Sequence, residues 1–302
     1  MPTGMAMHIG HVALRLRDPD AYAQFACDVL GLRETHRTAT AILLSASEKD
    51  HELELVQGAE DGLDHVGLEV ESTEALQAVQ ATVERAGITC RRVPPGHAAG
   101  LGAAVRFTGP GAIAYEVYTD MCRDSVSIGR YTHRPVRRFG HLTFASAEHH
   151  AVENFCVEVL RFRVSDRLGR ATWLRCDADH HGFAVTPGPE RTVLHHHAWQ
   201  TQDLGTLGSY CDGLIGHGIT LKWGPVRHGP GFNLATYVPD PAGGLVEVYA
   251  DLLQIVDDAG YVPYDWTGEP NALNLWGPPA PQDFLTFGLR TVGFATAAEA
   301  AA

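Results

Sequence analysis

The chain has 302 residues and a formal charge of −13, from 23 Lys and Arg against 36 Asp and Glu. That balance excludes the basic face that nucleic acid or an anionic membrane requires of a partner. A hydrophobic content of 45% with 20% charged residues is the makeup of a soluble globular protein.

No basic start followed by an apolar run marks a signal peptide, and no apolar stretch approaches the ~18 residues of a membrane span. A cytoplasmic location is expected. The six cysteines (Cys27, Cys90, Cys122, Cys156, Cys176 and Cys211) form no CxxC pair and read as free thiols. Histidine is the unusual residue, with 17 copies, several of them adjacent.

In chain order, a strand is predicted at His8–Leu16, followed by a helix in "DPDAYAQFACDVLGL". Asp18 suits the cap, Pro19 the first helical position and Gly31 the exit. Tyr22, Phe25, Ala26 and Val29 recur at the spacing of one helical face. "HELELVQ" (His51–Gln57) alternates like a strand. A second strand and helix follow at Asp64–Val70 and Ser72–Ala86, with Gly87 as the stop.

The chain then repeats itself. "GHVALRL" at Gly10 returns as "GHLTFAS" at Gly140, "LDHVGLEV" at Leu63 as "LHHHAWQT" at Leu194, and "YEVYTD" at Tyr115 as "VEVYAD" at Val246. These matches pair His11 with His141, His65 with His196 and Glu116 with Glu247, each 130 or 131 residues apart. Val152, Phe155, Cys156 and Val159 repeat the first helical stripe, and His149 and His150 at that helix start read as solvated. The units begin near residues 8, 64, 139 and 194. The expected fold is α+β: four βαβββ modules paired into two tandem half-barrel domains. Residues 1–120 form the first domain, 121–138 a linker and 139–252 the second domain. A Pro/Trp-rich tail over 253–302 packs near the opening of the site, and its Ala-rich end is expected to be disordered. Trp266 and Trp276 are expected to anchor that tail.

Two imidazoles and a carboxylate from His141, His196 and Glu247, on corresponding strands, would form a facial triad. A triad of this kind leaves open positions on a divalent metal, as non-haem Fe(II) oxygenases require. The run His195–His197 cannot supply three ligands from a regular strand, since side chains alternate faces. Alignment with His65 selects His196 and turns His195 and His197 away.

Together, "GHLTF", "HHGFAV", "LHHHAW", "RHGPGFNLATYVPDPAGGLVEVY" and "NLWGPP" resemble the type I extradiol (ring-cleaving) catechol dioxygenases of the vicinal oxygen chelate superfamily, over roughly residues 5–290. The resemblance implies Fe(II), or Mn(II), on His141, His196 and Glu247. It also implies His181 as acid/base beside bound O2, with His228 and Tyr237 hydrogen-bonded to substrate oxygens. Ring cleavage needs a base to form the catecholate and an acid to protonate oxygen before O–O cleavage, tasks suited to His and Tyr. The implied partners are a catechol and O2, and the implied product is a muconic semialdehyde-type compound of aromatic degradation; a homo-oligomer is expected. Departing from the pattern, this chain has three histidines where the family usually has two. The alternatives are a metal-dependent glyoxalase- or lyase-type enzyme of the same superfamily, or a non-catalytic, ligand-sequestering resistance protein.

The first half keeps His11, His65 and Glu116, and also His51 and His97 where the second has His181 and His228. Arg106 stands at the position of Tyr237, where an inward guanidinium would oppose a dication. One catalytic metal per chain is therefore expected, in the second half, with His11 and His65 as packed or hydrogen-bonded strand residues.

Overall fold

The structure is a computed structural model and describes residues 7–124 and 134–294. Much of the expected linker and the Ala-rich end lie outside the described residues. The first module runs β1 (Met7–Leu16), α1 (Pro19–Val29), β2 (Arg33–Arg37), β3 (Ala41–Ser45) and β4 (Leu53–Gln57). The second runs β5 (Gly62–Val70), α2 (Thr73–Arg85), β6 (Arg91–Val93), β7 (Ala104–Thr108) and β8 (Ala114–Thr119). The third comprises β9 (Arg138–Ser146), α3 (His149–Asn154), β10 (Arg163–Leu168), β11 (Ala171–Arg175) and β12 (Phe183–Pro187). The fourth comprises β13 (Val193–Gln200), α4 (Leu204–Gly216), β14 (Trp223–Arg227), β15 (Leu234–Pro239) and β16 (Leu245–Ala250). The tail adds β17 (Tyr264–Asp265) and β18 (Leu289–Arg290).

Each half is one curved sheet. In the first the strand order is β2-β3-β4-β1-β5-β8-β7-β6, and in the second β14-β15-β16-β13-β9-β12-β11-β10-β17, with β18 beside β13. The first strands of paired modules lie antiparallel at the centre, β1 on β5 and β9 on β13, and each also pairs in parallel with the last strand of its own module. The four-module α+β fold expected from the repeats is the one observed. No helix among the described residues is long and apolar enough to cross a membrane.

Local chemistry explains the helix starts. Asp18 Oδ1 accepts from the Ala21 amide at 2.9 Å, Ser72 Oγ from Ala75, and Asp203 Oδ1 from Thr206, each meeting a backbone donor that the first turn leaves open. The stripe Val152–Val159 is helical, but it passes from α3 into a π turn at Phe155–Val159. Phe155 there packs against Phe107 and Tyr115 of the first half, at ring-centroid distances of 6.1 and 5.7 Å. One hydrophobic core thus runs through both halves. His149 is buried, not solvated: its Nδ1 lies 3.2 Å from the Ser146 carbonyl, and only His150 faces outward.

The glycine before each repeated histidine has a steric cause. A Cβ on Gly140 would stand 2.0 Å from Tyr249 Oη, and one on Gly10 would stand 2.0 Å from Tyr118 Oη. Both tyrosines are fully buried and have no room to retreat. Gly140→Ala is expected to destabilise the fold by about 1–3 kcal/mol through overpacking. Denaturant unfolding measures it, and an unchanged midpoint would contradict this account of the Gly-His pair.

Candidate metal centre

Strand register brings the three candidate ligands together. Ala198 of β13 lies opposite His141 of β9 on one side and Glu247 of β16 on the other. His196, two residues before Ala198, shares its face. His141 Nε2 and His196 Nε2 each lie 3.1 Å from Glu247 Oε2, and all three side chains are buried. Asn233 Nδ2 donates to the other carboxylate oxygen at 2.9 Å. Asn233 had no signal in the sequence, since an amide after a glycine turn is common.

Hydrogen-bond partners assign the ring tautomers. His195 Nε2 donates to the Phe284 carbonyl at 2.8 Å, which leaves its Nδ1 as acceptor for His196 Nδ1–H at 2.7 Å. His196 Nε2 then presents a lone pair to Glu247 Oε2. Two acceptors facing one another 3.1 Å apart in a buried site repel unless a cation lies between them. Burial alone would raise the Glu247 carboxyl pKa, but the neighbouring His141, hydrogen-bonded to Oε2, holds it well below the usual carboxylate range. The donor set, two imidazoles and one carboxylate, fits Fe(II) or Mn(II).

The position of His195 corrects the parity argument. A bulge between Leu194 and His196 breaks the alternation and turns His195 to the ligand side, where it lines the cavity and orients His196. His197 does face away: its Nε2 meets Tyr22 Oη at 2.8 Å and its Nδ1 accepts from Trp199 Nε1. Burial lowers the pKa of both His195 and His197 to about 3, so both are neutral.

His181, His228 and Tyr237 are gathered at the same centre. The His181 ring lies 4.4 Å from that of His141, and burial, reinforced by His141, pushes its pKa well below 6.5. His181 Nδ1 is 3.0 Å from His180 Nδ1, and His180 Nε2 is 3.1 Å from Asp166 Oδ2. Trp266 Nε1 donates to that same Asp166 oxygen, so Trp266 ties the tail down. Tyr237 stands directly across from Glu247 in the β15–β16 ladder. His228 Nδ1 donates to the Leu273 carbonyl at 2.5 Å, so its Nε2 accepts from Tyr237 Oη at 2.8 Å. Burial and the Glu247 charge hold the Tyr237 pKa well above 10. A cavity of about 230 Å³ opens onto this group, walled by Leu168, Trp173, Trp223, Pro230, Phe284 and Leu285. Its apolar walls and few convergent polar groups suit a small aromatic ligand.

The family model described as Glyoxalase/Bleomycin resistance protein/Dioxygenase superfamily matches residues 8–117 and 138–248. The chain belongs to that superfamily. It is 25% identical over 280 residues to the manganese-dependent 2,3-dihydroxybiphenyl 1,2-dioxygenase of Geobacillus genomosp. 3, covering 85% of this chain and 89% of the relative. The crystal structure of the Mn(II)-bound glyoxalase from Novosphingobium aromaticivorans is 28% identical, with a TM-score of 0.86 over 96% of this chain and 97% of that one. Homoprotocatechuate 2,3-dioxygenase from Arthrobacter globiformis shares the fold at 23% identity, with a TM-score of 0.88 over 98% of this chain and 94% of that one. The resemblance to ring-cleaving dioxygenases is thus borne out among the relatives.

If Glu247 supplies the charge that balances the dication, Glu247→Gln is expected to lower Fe(II) or Mn(II) retention by roughly an order of magnitude or more. Elemental analysis after dialysis measures this, and wild-type retention would point to a different third ligand.

Proposed function

We propose that the protein is an extradiol dioxygenase that opens a catechol ring with O2, using Fe(II) or Mn(II) held by His141, His196 and Glu247. The observation that carries the reading is the lone pair of His196 set against the Glu247 carboxylate, beside a cavity that already holds a histidine and a His–Tyr pair. When bound, the metal supplies open positions for the two ring oxygens and for O2. Both oxygen atoms enter the product, a muconic semialdehyde-type compound, so the reaction draws on no outside reductant.

The surrounding residues handle protons and orientation. Tyr237 stays protonated, and with its hydroxyl proton directed at His228 Nε2 its oxygen is turned to accept a hydrogen bond from a substrate hydroxyl. His181 is neutral near pH 7, so it can take a proton from the diol and return it to oxygen before O–O cleavage. The tail roofs the cavity through Leu273, Phe284 and Leu285 and keeps bulk water from the reaction. The domain roles follow: residues 139–252 carry the chemistry, residues 1–120 frame it, and 253–302 close it.

A glyoxalase- or lyase-type reaction is the second reading, favoured by the Mn(II)-bound glyoxalase structure. Such an enzyme would use the metal as a Lewis acid and consume no O2. Oxygen uptake by anaerobically Fe(II)- or Mn(II)-loaded protein, with formation of a yellow ring-opened product across a catechol panel, is the expected result. Metal-loaded protein that consumes no O2 with any catechol would defeat the proposal. Tyr237→Phe should keep its metal and lower kcat by about tenfold or more, whereas unchanged turnover at saturating substrate would remove Tyr237 from the chemistry. His181→Ala should also keep its metal while the oxygen step stalls; loss of the metal would make His181 a ligand.

A further inference from the structure

The first half holds a second cluster of ligand-type groups that the proposed reaction does not use. His11 of β1, His65 of β5 and Glu116 of β8 occupy the positions of His141, His196 and Glu247, and all three are buried. His11 Nε2 lies 3.0 Å from His65 Nε2, while Glu116 Oε2 lies 3.9 Å from the first and 3.8 Å from the second. A point equidistant from three atoms so spaced is about 2.1 Å from each, the length of a metal–nitrogen or metal–oxygen bond. Glu116 Oε2 has no hydrogen-bond partner although the residue is fully buried, and His51 Nε2 in the same cluster is likewise unpartnered.

His65 Nδ1 donates to Asp64 Oδ1 at 2.9 Å, so its Nε2 is an acceptor: it takes the His11 Nε2 proton at 3.0 Å and faces the unpartnered Glu116 Oε2 at 3.8 Å. Asp64 takes the place of His195, and a carboxylate behind a ligating imidazole is the usual support for a bound metal. Arg106 bonds to the other oxygen of Glu116. That placement leaves Oε2 free, and the added positive charge is balanced by Glu54, which stands where the second half has Ala184. Glu54 Oε2 is 3.8 Å from His65 Nε2. With Asp64 neutralised by its ion pair to Arg15, the cluster therefore carries the net charge of its counterpart. The objection raised by Arg106 alone is thereby offset. Phe294 covers the group, its ring 5.0 Å from that of His65 and 4.7 Å from the Arg106 guanidinium carbon.

We infer that His11, His65 and Glu116 form a second site for a divalent first-row transition metal, structural in role, with Glu54 beside it as a charge partner. Phe294 and the Arg106 side chain cover these three ligands, which suits a structural role, in contrast to the three ligands beside a cavity in the second half.

The test is metal stoichiometry on the full chain, loaded anaerobically with Mn(II) or Zn(II) and freed of excess. Wild type should hold two equivalents per chain, and Glu247→Gln one. Glu116→Gln should also hold one, and Glu54→Gln, at a less buried position, should show weakened retention of the same equivalent. Thermal unfolding should show a metal-dependent rise in Tm that persists in Glu247→Gln and disappears in the Glu116→Gln/Glu247→Gln double variant. One equivalent in wild type that is lost in Glu247→Gln would overturn the inference, as would two equivalents indifferent to Glu116→Gln and Glu54→Gln. One equivalent lost in Glu116→Gln but kept in Glu247→Gln would uphold this site and defeat the catalytic assignment instead.

Discussion

The second half is organised around one carboxylate oxygen, Glu247 Oε2, with two imidazole nitrogens 3.1 Å away in a buried site. Burying a carboxylate is unfavourable by several kcal/mol unless charge or hydrogen bonds compensate it. Asn233 satisfies one oxygen; the other is left to the histidines and to a cation. The central β9–β13 pair, the parallel β13–β16 pairing and the Gly140–Tyr249 contact all fix the positions of these groups. A cation at that point turns mutual repulsion of lone pairs into attraction.

The tail contributes more than a cover. Two of its backbone carbonyls, at Phe284 and Leu273, accept from His195 and His228 and so set which nitrogen of each ring carries the proton. Through His195 the first fixes the lone pair of His196; through its own ring His228 fixes the direction of the Tyr237 hydroxyl. Trp266, bonded to Asp166 behind His180, secures the same segment on the His181 side. The roof of the cavity and the protonation states inside it depend on one stretch of chain.

Much of this was legible in the sequence because the fold is built by repetition. Each module reuses the same strand and helix pattern, so a spacing of 130 or 131 residues located the modules and paired His141, His196 and Glu247 with their counterparts. What parity could not show was the bulge before His196, since a bulge depends on how two strands meet, and it moved His195 from the far face to the cavity. The π turn after α3 and the burial of His149 likewise depend on packing between the halves. The carbonyls of Leu273 and Phe284 were invisible for a simpler reason: a backbone acceptor carries no residue identity. Glu54 carries no mark of its own in the alternating "HELELVQ" strand, and only its distance to His65 sets it apart.

The central claim is that the buried triad serves a reaction in which both atoms of O2 enter an opened catechol ring. Turnover of a cleaved catechol under 18O2, with mass spectrometry of the product trapped before exchange with water, tests it most directly. The account predicts two labelled oxygen atoms in a single ring-opened product. A product carrying no label, or one formed equally well without O2, would contradict it.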